Sequence, residues 1–180
     1  MSARQLPTPE ERSGIGRAHG YQRGALRPAC GCYRNPAERL TLYGAAWRDA
    51  AARGLAVHCR VSPADADLLR EHFRDAHPDM RAALATGRLV VAEVATAAVG
   101  FTELVAHAAS PAEDVERPRL IATDARLLGD DVPALVAAAR GRAQTAGGAL
   151  IVLYDRRALA TAALADVLSA WPGLLTPNGL

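Results

Sequence analysis

Lysine is absent from the 180-residue chain: all 21 basic residues are arginine. Together with abundant alanine, this is what a GC-rich genome tends to encode, yet the chemical consequences are firm. A P-loop needs the lysine of GxxxxGK[ST] to reach the β- and γ-phosphates, and Schiff-base catalysis needs a lysine amine. Both are excluded. Also missing are a G-x-S-x-G elbow, an H-E-x-x-H pair and a G-x-G-x-x-G loop; Gly14-Ile15-Gly16 is followed by neither a strand nor a helix pattern. Long apolar runs are missing too. Every run is broken by charge within about 10 residues, so neither a membrane span nor a signal peptide is expected, and the protein is expected to be cytoplasmic. Cysteine is scarce, and an odd count of three suggests reduced thiols rather than a disulfide framework.

The formal charge of +2 is unevenly spread. Residues 1–29 hold five arginines against Glu10 and Glu11, which leaves 16 arginines against 17 acids in the remainder. The remainder is close to neutral and offers no electrostatic footprint for nucleic acid. Residues 1–29 are rich in Arg, Pro and Gly and poor in large apolar residues, so they cannot offset the entropy of ordering and read as a disordered basic tail. An extension without function is favoured there over a basic arm for an acidic partner.

Residues 30–180 read as a single α/β domain, since half of the chain is hydrophobic and its length suits one full core. Asn35 caps a helix with Pro36 at its first position and Glu38 completing a capping box; Leu40, Tyr43, Trp47 and Ala50 form its apolar face and Gly54 ends it. Residues 55–61 read as a strand, and Ser62, Pro63 and Asp65 start a second helix carrying Leu68, Leu69 and Phe73. A short helix follows over 79–86, ended by Gly87, then a β-branched strand over 89–94. A helix is expected over 101–108, a strand over 119–123, and a helix starting at Asp130 or Asp131, running through Leu135, Val136 and Ala139 and ended by Gly147 and Gly148. Residues 149–154 are an unbroken apolar strand, followed by a helix with Leu159, Leu164, Val167 and Leu168. This alternation predicts a three-layer α/β fold: a mostly parallel sheet of about five strands covered by helices on both faces.

In such a sheet, ligands bind outside the carboxyl ends of the strands. The residues there are Tyr33 and Arg34, Arg60 and Ser62, Glu93, Asp124, and Tyr154, Asp155 and Arg156. Together they could form a polar pocket. Taken singly, each is better explained by an ordinary structural role; Asp155 and Arg156, for example, could cap the next helix and pair with each other. Cys30, Cys32, His58 and Cys59 form a second constellation, but adjacent strand residues point to opposite faces, and structural zinc knuckles favour C-x₂₋₄-C on loops. Small core cysteines are the better reading, and neither a metal nor another cofactor is expected. His72, His77 and His107 fit a solvated helix face.

The segments ALIVLYDRRALATAALADVLSAWPGLL, CGCYRNPAERLTLYGAAWRDAAARGLAVHCRV and AALATGRLVVAEV resemble the closing, opening and central patterns of the MEDS domain, the sensory domain named for methanogens, methylotrophs and a dichloromethane-responsive regulator. The resemblance spans roughly residues 30–175, and the Tyr-Asp-Arg turn is its most specific element. It implies a degenerate RecA-like core without a P-loop, in agreement with the missing lysine. It also implies a sensory rather than an enzymatic role, in which a small-molecule ligand is bound and a regulatory protein partner, histidine-kinase-like or a sigma-factor regulator, carries the signal into transcription control. Tyr33, Tyr154, Asp155 and Arg156 match the family pattern. Trp171 stands where the family has a histidine before proline, and Asp124 replaces an acid otherwise found in a Gly-Glu pair. A ligandless interaction module of the anti-sigma or anti-anti-sigma type is the alternative, followed by a Cys/His metal protein or enzyme. Trp47 and Trp171 leave a homodimer face open.

Overall fold

The computed structural model describes residues 28–94, 119–128 and 149–180. Most of the basic tail, the helices expected over 101–108 and from Asp130 or Asp131, and the glycines at 147 and 148 lie outside the described residues. In chain order the elements are β1 (Ala29–Tyr33), α1 (Pro36–Ala52), β2 (Ala56–Val61), α2 (Pro63–Ala76), α3 (Pro78–Ala85), β3 (Leu89–Glu93), β4 (Arg119–Asp124), a 3-10 turn (Ala125–Leu127), β5 (Ala149–Asp155), α4 (Thr161–Ala170) and β6 (Gly173–Leu175).

The strands form one sheet in the order β3-β2-β4-β5-β1-β6, every pairing parallel. The expected fold class is therefore present, with a sixth strand where only a last apolar stretch was anticipated. That strand is three residues long and sits at an edge, where brevity limits unwanted pairing and sequence periodicity is weakest. β5 lies between β4 and β1, and its Leu150, Ile151, Val152 and Leu153 are all buried, as a central parallel strand covered on both faces requires.

Strand alternation divides the core into two layers. One face holds Tyr33, Val57, Cys59, Leu120 and Leu153 and is covered by α1, α2 and α3 through Tyr43, Leu69, Phe73 and Met80. The other holds Cys30, Ile121, Val152 and Tyr154 and is covered by α4 and the residue after it through Val167 and Trp171. Phe73 and Leu69, each at most 1% exposed, anchor α2, while Leu68 points outward at 43% exposure. Burying each such large side chain contributes about 1.5–3 kcal/mol.

The start of α1 follows its sequence signals. The Asn35 side chain accepts a hydrogen bond from the Glu38 amide (2.9 Å), and the Glu38 carboxylate reaches back to the amide of Arg34 (2.8 Å), one residue before the cap. The helix stops at Arg53 and Gly54, whose φ of +72° favours glycine. Its buried stripe differs from the expected one. Arg39, Tyr43, Ala46 and Ala50 face the sheet, whereas Leu40 and Trp47 are only partly buried at the rim. Small alanines let the helix approach the sheet closely, and the arginine in the stripe is tolerated because it is paired. Trp171 follows α4 and is buried, so it does not present an outward helix face.

Candidate functional site

Two structures occupy the carboxyl ends of the strands, and alternation decides which residue joins which. Asp124 closes β4 on the same face as Tyr33 at the end of β1, with β5 between them. Two strand spacings are roughly 9.6 Å. The long tyrosine side chain bridges them, its hydroxyl donating to Asp124 Oδ2 at 2.7 Å. Arg39, from the first turn of α1, donates to both carboxylate oxygens of Asp65 and reaches Asp124 Oδ2 at 3.4 Å. Ser62 donates to Asp65 (2.7 Å), and the half-exposed guanidinium of Arg126 binds Asp124 (3.0 Å) and Asp65 (3.4 Å) from outside. The Arg126 amide also donates to Asp124, which caps the 3-10 turn.

The result is a charge-balanced quartet, Arg39, Asp65, Asp124 and Arg126, with Tyr33 as a fifth member lying under the Arg39 guanidinium (5.8 Å to the ring centre). Arg39 and Asp124 are 5% and 2% exposed. Burial pushes the Asp124 carboxyl up to about 6, against the pull of the Tyr33 hydrogen bond and Arg39 and with a further push from Asp65 and Asp155. Burial and the neighbouring Asp124 raise the Tyr33 hydroxyl well above its ordinary range, so it stays protonated and donates. The quartet fills the central strand ends with side chains. Of the residues around Tyr33 and Asp124, Ser62 is an expected strand-end residue, Asp65 is expected only at a helix start, and Arg39 and Arg126 carry no expected site role.

The remaining expected residues go elsewhere. Tyr154 lies one residue before Asp155 and therefore on the opposite face, where it is buried against Trp171. Asp155 is held by the amide and guanidinium of Arg157, not by Arg156. Glu93 closes the edge strand β3, two strands away from β4, and binds Arg70 (3.0 Å). Cys59 sits in one core layer and Cys30 and Cys32 in the other, with the sheet between them.

Arg34 and Arg156 do come together, at a cleft of about 500 Å³ where α1 leaves one face of the sheet and α4 covers the other. Cys32 and Glu38 also line it, and its walls are aliphatic, chiefly Leu164, Leu168 and Leu174. The volume lies within the range of ordinary small-molecule sites, about 300–1,000 Å³. Neither guanidinium makes a hydrogen bond or ion pair among the described residues. The Arg156 amide donates to the carbonyl of Tyr33 (2.8 Å), which fixes the backbone of one lip of the cleft to the end of β1. Burial raises the Cys32 thiol, and the charge of Arg156 draws it partly back down.

No protein-family model matches the chain, and no curated protein matches it. Among the described residues, no helix is long and apolar enough to cross a membrane.

Proposed function

We propose that the protein is a regulatory module that binds a small molecule in the cleft beside Arg34 and Arg156 and reports occupancy to a separate regulatory protein. One observation carries this reading: an aliphatic cleft of about 500 Å³ lined by two guanidiniums that have no side-chain partner among the described residues, at the carboxyl ends of parallel strands where α/β proteins place their ligands. The resemblance of the Tyr154-Asp155-Arg156 turn to the MEDS domain supports a sensory role, with a histidine-kinase-like protein or sigma-factor regulator as receiver and transcription control as the output. Thermal-shift screening against small metabolites tests it. A true ligand raises the melting temperature of the wild-type chain and loses its effect in Leu168→Asp, a change at an exposed wall position. Hits untouched by that substitution would move the site elsewhere.

A second reading is favoured by a different observation. The quartet around Asp124 plugs the central strand ends, as a ligandless interaction module of the anti-sigma type would require. Under that reading no metabolite shifts the melting temperature, and a regulatory protein is recovered in stoichiometric, cross-linkable complex.

A further inference from the structure

We infer that the cleft selects an amphipathic monoanion, a small molecule with one carboxylate-like head between Arg34 and Arg156 and an aliphatic body against Leu164, Leu168 and Leu174. The inference rests on the ligand-binding reading above and specifies its chemistry.

Charge sets the head group. The rim carries two guanidiniums and one carboxylate, Glu38, whose Oε2 already accepts from the Arg34 amide. One net positive charge remains. Arg34 and Arg156 have no other ionic partner among the described residues, whereas Asp155, the nearest acid in sequence to Arg156, is occupied by Arg157. A polyphosphate is a poor match for a single net charge without a glycine-rich amide cradle or a lysine.

The walls set the body. Among the described residues, five leucines and one proline line the cleft and no aromatic ring does, so a planar base finds no ring there to stack on while an alkyl chain finds contact along its length. Leu168 and Leu174 are 43% and 50% exposed, two of the four large hydrophobics so exposed among the described residues. An aliphatic ligand would remove that surface from water. The chain's own amino-terminal segment is a poor occupant, because residues 1–29 carry five arginines against two acids and the cleft is itself net positive.

Cys32 supplies the reporter. It lines the cleft and is partly exposed, while Cys30 and Cys59 are 1% and 0% exposed. Alkylation of the native protein by iodoacetamide, followed by intact-mass measurement, therefore reads access to the cleft. Octanoate should slow alkylation of Cys32 in a saturable way. Arg34→Gln and Arg156→Gln should each weaken octanoate by about fivefold, as expected for half-solvated ion pairs, and octanol, which forgoes both pairs, should protect only at concentrations about 25-fold higher. Neither arginine side chain is buried, so both variants should fold.

Equal protection by octanol and octanoate, or protection by octanoate that survives both arginine substitutions, would overturn the anionic head while leaving a ligand cleft in place. Protection by a leucine-terminated peptide at far lower concentration than octanoate would reassign the carboxylate to a protein partner's terminus and overturn the small-molecule inference. If neither octanol nor octanoate protects, and screening hits are also indifferent to Leu168→Asp, the ligand-binding reading itself fails.

Discussion

Replacing Arg39 with glutamine removes the central cation of the quartet and leaves Asp65 and Asp124 facing each other with Arg126 as the one cation still paired with them among the described residues. Arg39 and Asp124 are nearly inaccessible to solvent, and deleting one partner of a buried ion pair costs about 3–5 kcal/mol. Arg126→Gln removes a cation from the same two carboxylates, but that guanidinium is half exposed and the expected cost is about 1 kcal/mol or less. Two substitutions of the same chemistry at the same acids should thus differ several-fold. In a domain of this size, Arg39→Gln should lower the melting temperature by about 10 °C and Arg126→Gln by about 3 °C. Urea titration should show a lower midpoint with an unchanged slope.

The pH dependence gives an independent check. Asp124 holds its proton up to about pH 6 in the folded protein, against 3.8 as its ordinary value, so the folded state binds more protons between those two values. Stability contributed by this group is present below about pH 4 and is lost as pH rises through about 6, by about 3 kcal/mol at most. Removing Arg39 takes away a pull that favours the carboxylate and moves the folded-state value higher still. The cost of Arg39→Gln should therefore be larger at pH 8 than at pH 5, where protonation of Asp124 relieves the unpaired charge. Equal losses for the two arginine variants, or a cost for Arg39→Gln that does not change with pH, would refute the reasoning.

Other outcomes follow from the same packing. Tyr33→Phe removes the hydroxyl that donates to Asp124 and should cost about 1–2 kcal/mol by urea denaturation; a double-mutant cycle with Asp124→Asn should show coupling of the two sites. Gly31→Ala places a Cβ 2.8 Å from Leu153 Cδ2 and 3.2 Å from Leu42 Cδ1 and should destabilise the fold by about 1–3 kcal/mol through overpacking. Gly54→Ala meets no atom within 4 Å, so its loss of about 1 kcal/mol would come from the φ of +72° alone. Iodoacetamide should modify one thiol in native protein, at Cys32, and three in urea, because Cys30 and Cys59 are inaccessible and burial pushes the Cys30 thiol up to about 12 and raises that of Cys59 as well.

The elements were legible where a local signal coincides with a tertiary need. Asn35, Pro36 and Glu38 announce α1, and the unbroken apolar run of β5 announces a strand buried on both faces. The site was legible by address but not by membership. Residues at strand ends include Tyr33, Asp124, Arg34 and Arg156, yet the period of two that separates His58 from Cys59 also separates Tyr154 from Asp155, and it sends Tyr154 into the opposite core layer. Arg39 was missed although its spacing was informative: 39, 43, 46 and 50 form one helical stripe, and a charge within a buried stripe implies a buried partner. Asp65 was read only as part of a helix start because the capping signal was a sufficient local explanation. Its pairing with Arg39 depends on α1 and α2 lying on the same face of the sheet, which no local pattern encodes.

The plugged centre and the open edge are parts of one arrangement. Tyr33 is tied to Asp124 through its side chain, its carbonyl accepts from the amide of Arg156, and α1 is tied to Asp65 and Asp124 through Arg39. Arg34 therefore stands between two anchored points, and Arg156 is anchored at its own amide. Both guanidiniums extend from a fixed backbone, so an anion bound as proposed would cost side-chain entropy rather than the ordering of a loop. A buried set of paired charges thus sits next to Arg34 and Arg156, whose guanidiniums have no ionic partner among the described residues.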